Sequence, residues 1–255
     1  IIAIIIRSLL LQPFYIPSSS MEPNLLIGDR LFVTKYTYGY SKHSFPFSPN
    51  IFSGRILYSE PKRGDVVVFK TTYKNDDIFP IYLFCKILAT CKTDYIKRLI
   101  GLPGDKIKFI DGDLFINNQQ IYRTKTNHDS DEKINCGTKK CFLFTEKLPN
   151  GNTFKTTYKD YEDYENVNNS KPWEIYGVGK ISWEIPEDHY FFLGDNRDNS
   201  ADSRFATGVG FVHKDNLVGK AQFLFFSSDH RIGSIFKFWN WKNIIRFERF
   251  FEKIN

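Results

Sequence analysis

Short β-rich runs punctuated by Gly, Asp and Asn limit what this chain can fold into more than any other feature. Arg30–Lys35 (RLFVTK) and Asp65–Lys70 (DVVVFK) are bounded by Gly-Asp pairs and rich in branched and aromatic side chains. Lys106–Ile110 alternates polar and apolar residues, Asp111-Gly112 marks a tight turn, and Leu114–Ile116 returns. Asn117-Asn118 opens another reversal, and Tyr190–Leu193 and Ala221–Phe226 read as buried strands. The expected fold class is mainly β, with an antiparallel sheet as its core. At 255 residues the chain has room for one or two domains.

A net charge of +6 suits nucleic acid or an anionic membrane surface. The chain shows no helix-turn-helix, zinc spacing or RNP-type run, so the membrane is the stronger reading and no nucleic-acid partner is expected. At the start, Ile1–Ile6 and Leu9–Leu11 flank Arg7, a stretch shorter than the roughly 20 apolar residues that span a bilayer. It reads either as a buried element or, preferably, as the outer end of a transmembrane helix, with Pro13 marking the hand-over to a folded domain. No basic region precedes the apolar run, which argues against a cleaved signal peptide. At the other end, Trp241, Ile244, Ile245, Phe251 and Ile254 fall near one helical face, and Lys242, Arg246, Arg249 and Lys253 near another. This predicts a basic amphipathic helix over 231–255, lying on a membrane or packed on the protein's own core.

Four cysteines are present, Cys85, Cys91, Cys136 and Cys141, none in a Cys-x-x-Cys pair, so no zinc or other metal site is expected. Cys136 and Cys141 enclose a turn-like loop. A disulfide and two free buried thiols are both open there.

Three blocks carry chemistry. Ser18-Ser19-Ser20-Met21-Glu22-Pro23 is a polar loop, Asp94-Tyr95-Ile96-Lys97-Arg98 an apolar-flanked lysine, and Gly194–Arg204 (GDNRDNSADSR) a dense run of opposite charges. Each alone would be a turn or a strand. In this order they resemble the type I signal peptidases, membrane serine proteases that use a Ser/Lys dyad, and the resemblance runs from about Gln12 to Phe226. None of the five histidines sits in a familiar hydrolase motif, in keeping with a lysine base.

The resemblance implies Ser20 as nucleophile and Lys97 as general base, with no cofactor. A lysine can serve only when neutral, so its pKa must fall by several units through burial. Ser18 maps to an oxyanion donor and Ser200 to the serine that orients the lysine. Asp195 with Arg98, and Asp202 with Arg204, map to supporting ion pairs. Phe14, Ile16, Leu25, Tyr95 and Ile96 map to shallow pockets for the small side chains of an Ala-x-Ala site, although each is also a plausible core residue. Ser19 stands where glycine is common, and the segment after Arg204 departs from the family's usual continuation. Some members carry a short-loop disulfide near the position of Cys136 and Cys141.

The implied organisation is a membrane-anchor end at 1–11 and a catalytic β-core of 12–104 and 189–230, with a β-ribbon at 36–61. A noncatalytic β-domain is inserted at 105–188, and the amphipathic helix follows at 231–255. The implied partners are secretory preproteins and the lipid bilayer, and the implied place is the inner membrane with the catalytic domain on its outer, periplasmic side. Two rivals are a self-cleaving repressor with the same dyad, which would need a DNA-binding N-terminal domain, and an inactive membrane-tethered binding module.

Overall fold

The computed structural model describes residues 2–45, 48, 52–72, 92–110, 112–126, 141–159, 182–205, 208–229 and 238–255. A short helix, α1 (Ile2–Leu9), leads into strands β1 (Leu11–Tyr15), β2 (Asp29–Thr34), β3 (Val66–Thr72) and β4 (Lys92–Gly101). Then come β5 (Lys106–Ile110), β6 (Asp113–Ile116), β7 (Gln119–Gln120), β8 (Arg123–Lys125), β9 (Cys141–Lys147), β10 (Thr153–Lys159) and β11 (Ser182–Glu184). The chain returns through β12 (His189–Leu193), β13 (Val212–His213) and β14 (Leu217–Ser227). The main sheet has the order β1-β2-β14-β3-β4-β12-β13. The strands between 105 and 188 form two sheets of their own, β11-β5-β6-β7 and β10-β9-β8.

The turn chemistry explains much of this. Asn117 and Asn118 both adopt positive φ, 52° and 67°, so β6 reverses directly into β7. The apolar run of β3 is continuous because both of its faces are covered. Val66 and Val68 enter one core cluster with Ile16, Met21, Leu25 and Leu31, whereas Val67 and Phe69 enter another with Leu99 and Phe192. Each such fully buried side chain contributes about 1.5–3 kcal/mol. A third cluster, around Ile107, Phe154, Trp183 and Phe191, joins the smaller sheets to the main one. Pro13 does not end its segment: it lies within β1, an edge strand, where a missing N–H is tolerated.

Two expectations change. Over 36–61 the described residues form two 3-10 turns, Tyr36–Tyr38 and Lys42–Ser44, and a single bridge between Tyr40 and Ile56, rather than a ribbon. The continuous amphipathic helix over 231–255 is also not formed among the described residues. Residues 238–255 make a 3-10 turn, the four-residue helix α2 (Trp241–Ile244), another 3-10 turn and an extended end. The reason is the edge of β14. Strand β3 pairs only with Leu217–Lys220, leaving the rest of that edge open. The end of the chain takes it over: Leu224 N–H donates to Glu252 O, Phe251 N–H to Leu224 O and Ile254 N–H to Gln222 O. Helical spacing gave way to these main-chain bonds. Arg249 pairs with Asp29 and Arg246 with Asp229, so these two cations hold the segment to the core instead of lining a free basic face.

Among the described residues no helix is long and apolar enough to cross a membrane. Cys141 is held in a disulfide. Cys136, the expected partner, lies outside the described residues, as do Cys85, Cys91 and most of 71–93 and 158–169.

Candidate active site

The loop between β1 and β2 carries the serines. It is pinned from below by Met21 and Leu25, both fully buried, and Leu25 N–H donates to Met21 O across a tight turn. Strand β4 brings Lys97 to this loop from the other side of the core. Lys97 Nζ lies 2.6 Å from Ser20 Oγ and donates to Ile96 O at 3.0 Å. Ser18 Oγ is 3.3 Å from Ser20 Oγ.

Lys97 is only 4% exposed, and burial lowers its pKa from 10.5 to about 8, although the nearby Asp202 and Asp195 carboxylates pull the other way. A neutral amine beside a serine hydroxyl at mildly alkaline pH is therefore within reach. Lys35 is lowered equally, to about 8, also chiefly by burial. Its ammonium donates to Ser44 O, a carbonyl with no proton to give up. Depressed basicity alone therefore does not select Lys97; contact with a hydroxyl does.

The loop from Gly194 to Arg204 forms the floor. Arg98 donates to Asp195 through Nε and Nη2, both at 2.7 Å, a bidentate pair with each side chain 1% exposed. Arg204 donates to Asp202 at 2.8 and 2.9 Å, and Asp202 also accepts from Gly194 N–H. Ser200 Oγ is buried and has no hydrogen-bond partner among the described residues. It makes no hydrogen bond to Lys97 and sits against Gly194: a Cβ on Gly194 would stand 2.2 Å from Ser200 Oγ and 2.5 Å from Ser20 O. Glycine is required there because three pieces of the site meet at that point.

The expected pocket residues divide. Ile16 and Leu25 are covered in the core, at 1% and 0% exposure, while Phe14 and Ile96 pack against that same cluster only partly buried. Tyr95 is partly buried on the other face of β4, with its ring 5.8 Å from Lys97 Nζ. Several residues were not singled out from the sequence. Asn196 N–H donates to Ser20 O and its side chain to Ser19 O, both at 3.1 Å, and Asn199 donates to Ser19 Oγ at 2.8 Å. Asn24 bridges Asp195 and Lys155 O. Arg197 is paired with Glu146. Asn196, Arg197 and Asn199 lie inside the GDNRDNS run, whose density was the available signal. Glu146 lies in no motif. Among the described residues, no group of three His, Cys, Asp or Glu side chains is placed to hold a metal ion.

Comparison with known proteins identifies the family. The family model described as signal peptidase, peptidase S26, matches residues 1–226. Signal peptidase I of Rickettsia rickettsii (strain Sheila Smith) is 41% identical over 265 residues, covering 99% of this chain and 88% of that protein. Signal peptidase I of Rickettsia massiliae is 40% identical with the same coverage, and that of Rickettsia bellii 38% identical over 100% of this chain and 82% of that one. A crystal structure of a signal peptidase I from Enterococcus faecalis aligns with 64% of this chain and 97% of its own at 23% identity, with a TM-score of 0.29. The assignment therefore rests on the sequence relatives.

Proposed function

The chain belongs to the type I signal peptidases of peptidase family S26, serine hydrolases that remove signal peptides, and from that premise we propose how its residues perform the cleavage. The observation that carries the reading is the 2.6 Å approach of a buried, pKa-lowered Lys97 to Ser20 Oγ. Neutral Lys97 accepts the Ser20 hydroxyl proton as Oγ attacks the scissile carbonyl. The resulting ammonium then gives that proton to the leaving amine, and the acyl-enzyme is hydrolysed by water with Lys97 again as base. Ser18 Oγ and Ser20 N–H are the donors proposed for the oxyanion. Ser200, beside Gly194, is the group proposed to orient Lys97 once the amine is neutral. The Arg98–Asp195 and Arg204–Asp202 pairs keep the floor in one geometry.

The substrate strand has a place to pair. Strand β4 pairs with β3 from Lys92 to Arg98, but β12 joins its other edge only from Arg98 onward. Among the described strands none occupies that second edge from Lys92 to Lys97. An extended precursor segment added there would run past Ser20, and the partly buried Phe14 and Ile96 would shape shallow pockets over the floor of Ile16 and Leu25, with Tyr95 bordering Lys97 on the opposite face of β4. Small side chains before the scissile bond, an Ala-x-Ala pattern, suit such pockets.

We place the enzyme at the inner membrane with this domain on the outer side. Trp239, Trp241, Phe247 and Phe251 are 44–76% exposed on the C-terminal segment, with Lys242 and Lys253 beside them, a composition fitted to a lipid interface. The test of the chemistry is cleavage of an Ala-x-Ala precursor peptide by the detergent-solubilised protein. Ser20→Ala and Lys97→Ala should each lose orders of magnitude in rate while remaining folded, and the double variant should be little worse than either. Near-normal cleavage by Ser20→Ala would refute the assignment and direct attention to Ser18 or Ser19.

A further inference from the structure

We propose that Glu146, acting through Arg197, is a positioning residue for the nucleophile, and that the β8–β10 sheet therefore takes part in setting the active-site geometry. The proposal rests on the reading of Ser20 and Lys97 as the dyad.

Glu146 lies on β9, the central strand of its sheet, and is 1% exposed. Its two carboxylate oxygens accept from Arg197 Nη1 at 2.8 Å and Nη2 at 2.6 Å. Tyr158 OH donates to the same carboxylate at 2.7 Å and Thr156 Oγ1 at 3.1 Å, so it is fully engaged. Arg197 is equally buried, and its Nε donates to Gly194 O. One residue before it, Asn196 holds the carbonyls of Ser20 and Ser19. One peptide link and one hydrogen bond thus separate Arg197 from the backbone of the nucleophile.

Strand β10 adds parallel attachments. Thr157 N–H donates to Asp195 O, Lys159 N–H to Asp198 Oδ2, and Thr157 Oγ1 to Glu22 O. The same strand therefore grips the floor loop at Asp195 and Asp198 and the serine loop at Glu22 and Asn24. A buried ion pair is a poor source of net stability, because desolvating both charges offsets most of their attraction. What a bidentate clamp does supply is a single orientation. Here that orientation belongs to the segment carrying Gly194, Asn196, Asn199 and Ser200.

The experiment uses the whole chain and compares the parent with Glu146→Gln, which keeps the shape and removes the charge. Hydrogen exchange at the Asn196 amide should quicken. The kcat for an Ala-x-Ala precursor peptide should fall between about 10- and 100-fold with KM within about two-fold, the size expected when a nucleophile is displaced by a fraction of an ångström to an ångström. The ascending limb of the pH–rate profile should move alkaline, because water admitted by a loosened floor weakens the burial that lowers the Lys97 pKa. If Glu146→Gln does not fold, Tyr158→Phe removes one hydroxyl from the same cluster and should shift all three readouts the same way by less. A folded variant with parental kcat, pH limb and Asn196 exchange overturns the proposal. So does one whose melting temperature falls while the folded enzyme keeps the parental kcat and pH limb, since that is a purely structural role. Failure of the dyad itself would show separately, as activity retained by Ser20→Ala, whereas the Asn196 exchange reports the clamp without any turnover.

Discussion

Replacing Lys97 by Met is expected to stabilise the fold near neutral pH while abolishing cleavage. Met has a similar length and no charge, so it can fill the same buried channel. Lys97 is almost fully covered, and burial takes its pKa from 10.5 to about 8. At about 1.36 kcal/mol for each pH unit, that displacement corresponds to about 3 kcal/mol. The direction follows from proton counting. Between pH 8 and 10.5 the unfolded chain holds the proton and the folded one does not, so stability rises with pH across this window. Below pH 8 both states are protonated and the folded protein carries the whole penalty; above 10.5 neither is, and the penalty vanishes. Lys97→Met should therefore gain up to about 3 kcal/mol at pH 7, a rise of about 6–12 °C in melting temperature for a domain of this size. The gain should shrink as the pH approaches 10. Lys35 follows a similar course, but it is present in both proteins and cancels in the difference. Denaturant unfolding of parent and variant at pH 7 and pH 10 measures the effect. A variant less stable than the parent at pH 7, or a difference that does not change with pH, would refute the reasoning.

Asp195→Asn should cost about 3–5 kcal/mol, because it leaves the buried Arg98 guanidinium without its carboxylate; denaturant titration reads this directly, and a loss below about 1 kcal/mol would mean the pair is not buried in solution. Peptide mapping without reduction should find Cys141 joined to Cys136, and alkylation of both thiols in protein from its native compartment would exclude that pairing. Trp239→Ser with Trp241→Ser should weaken binding to vesicles rich in anionic lipid without changing the melting temperature. Undiminished binding would remove the C-terminal aromatics from the membrane contact.

The strands were largely legible because local chemistry decides them. Lys106–Ile110 forms as its alternation indicates, and the Asn117-Asn118 reversal occurs because both residues tolerate positive φ. The meeting of Ser20 with Lys97 was legible because each lies in a block with a recognisable order. Long-range pairing was not legible. The C-terminal residues have helical spacing, yet the open edge of β14 draws Glu252–Ile254 alongside it through main-chain bonds. Likewise Arg246 and Arg249 read as the basic face of a helix, whereas they pair with Asp229 and Asp29, both distant in the sequence. Glu146 was invisible for the same reason: a lone acid in a strand announces nothing until the fold sets Arg197 against it.

The central claim, that a neutral buried lysine activates Ser20, is tested most directly by the pH dependence of single-turnover cleavage of an Ala-x-Ala precursor peptide. The rate should climb through an apparent pKa of about 8, the value burial gives Lys97, and Lys97→Arg, whose guanidinium stays protonated, should be silent across the range. A profile that is flat over this interval, or one retained by Lys97→Arg, would contradict the lysine base.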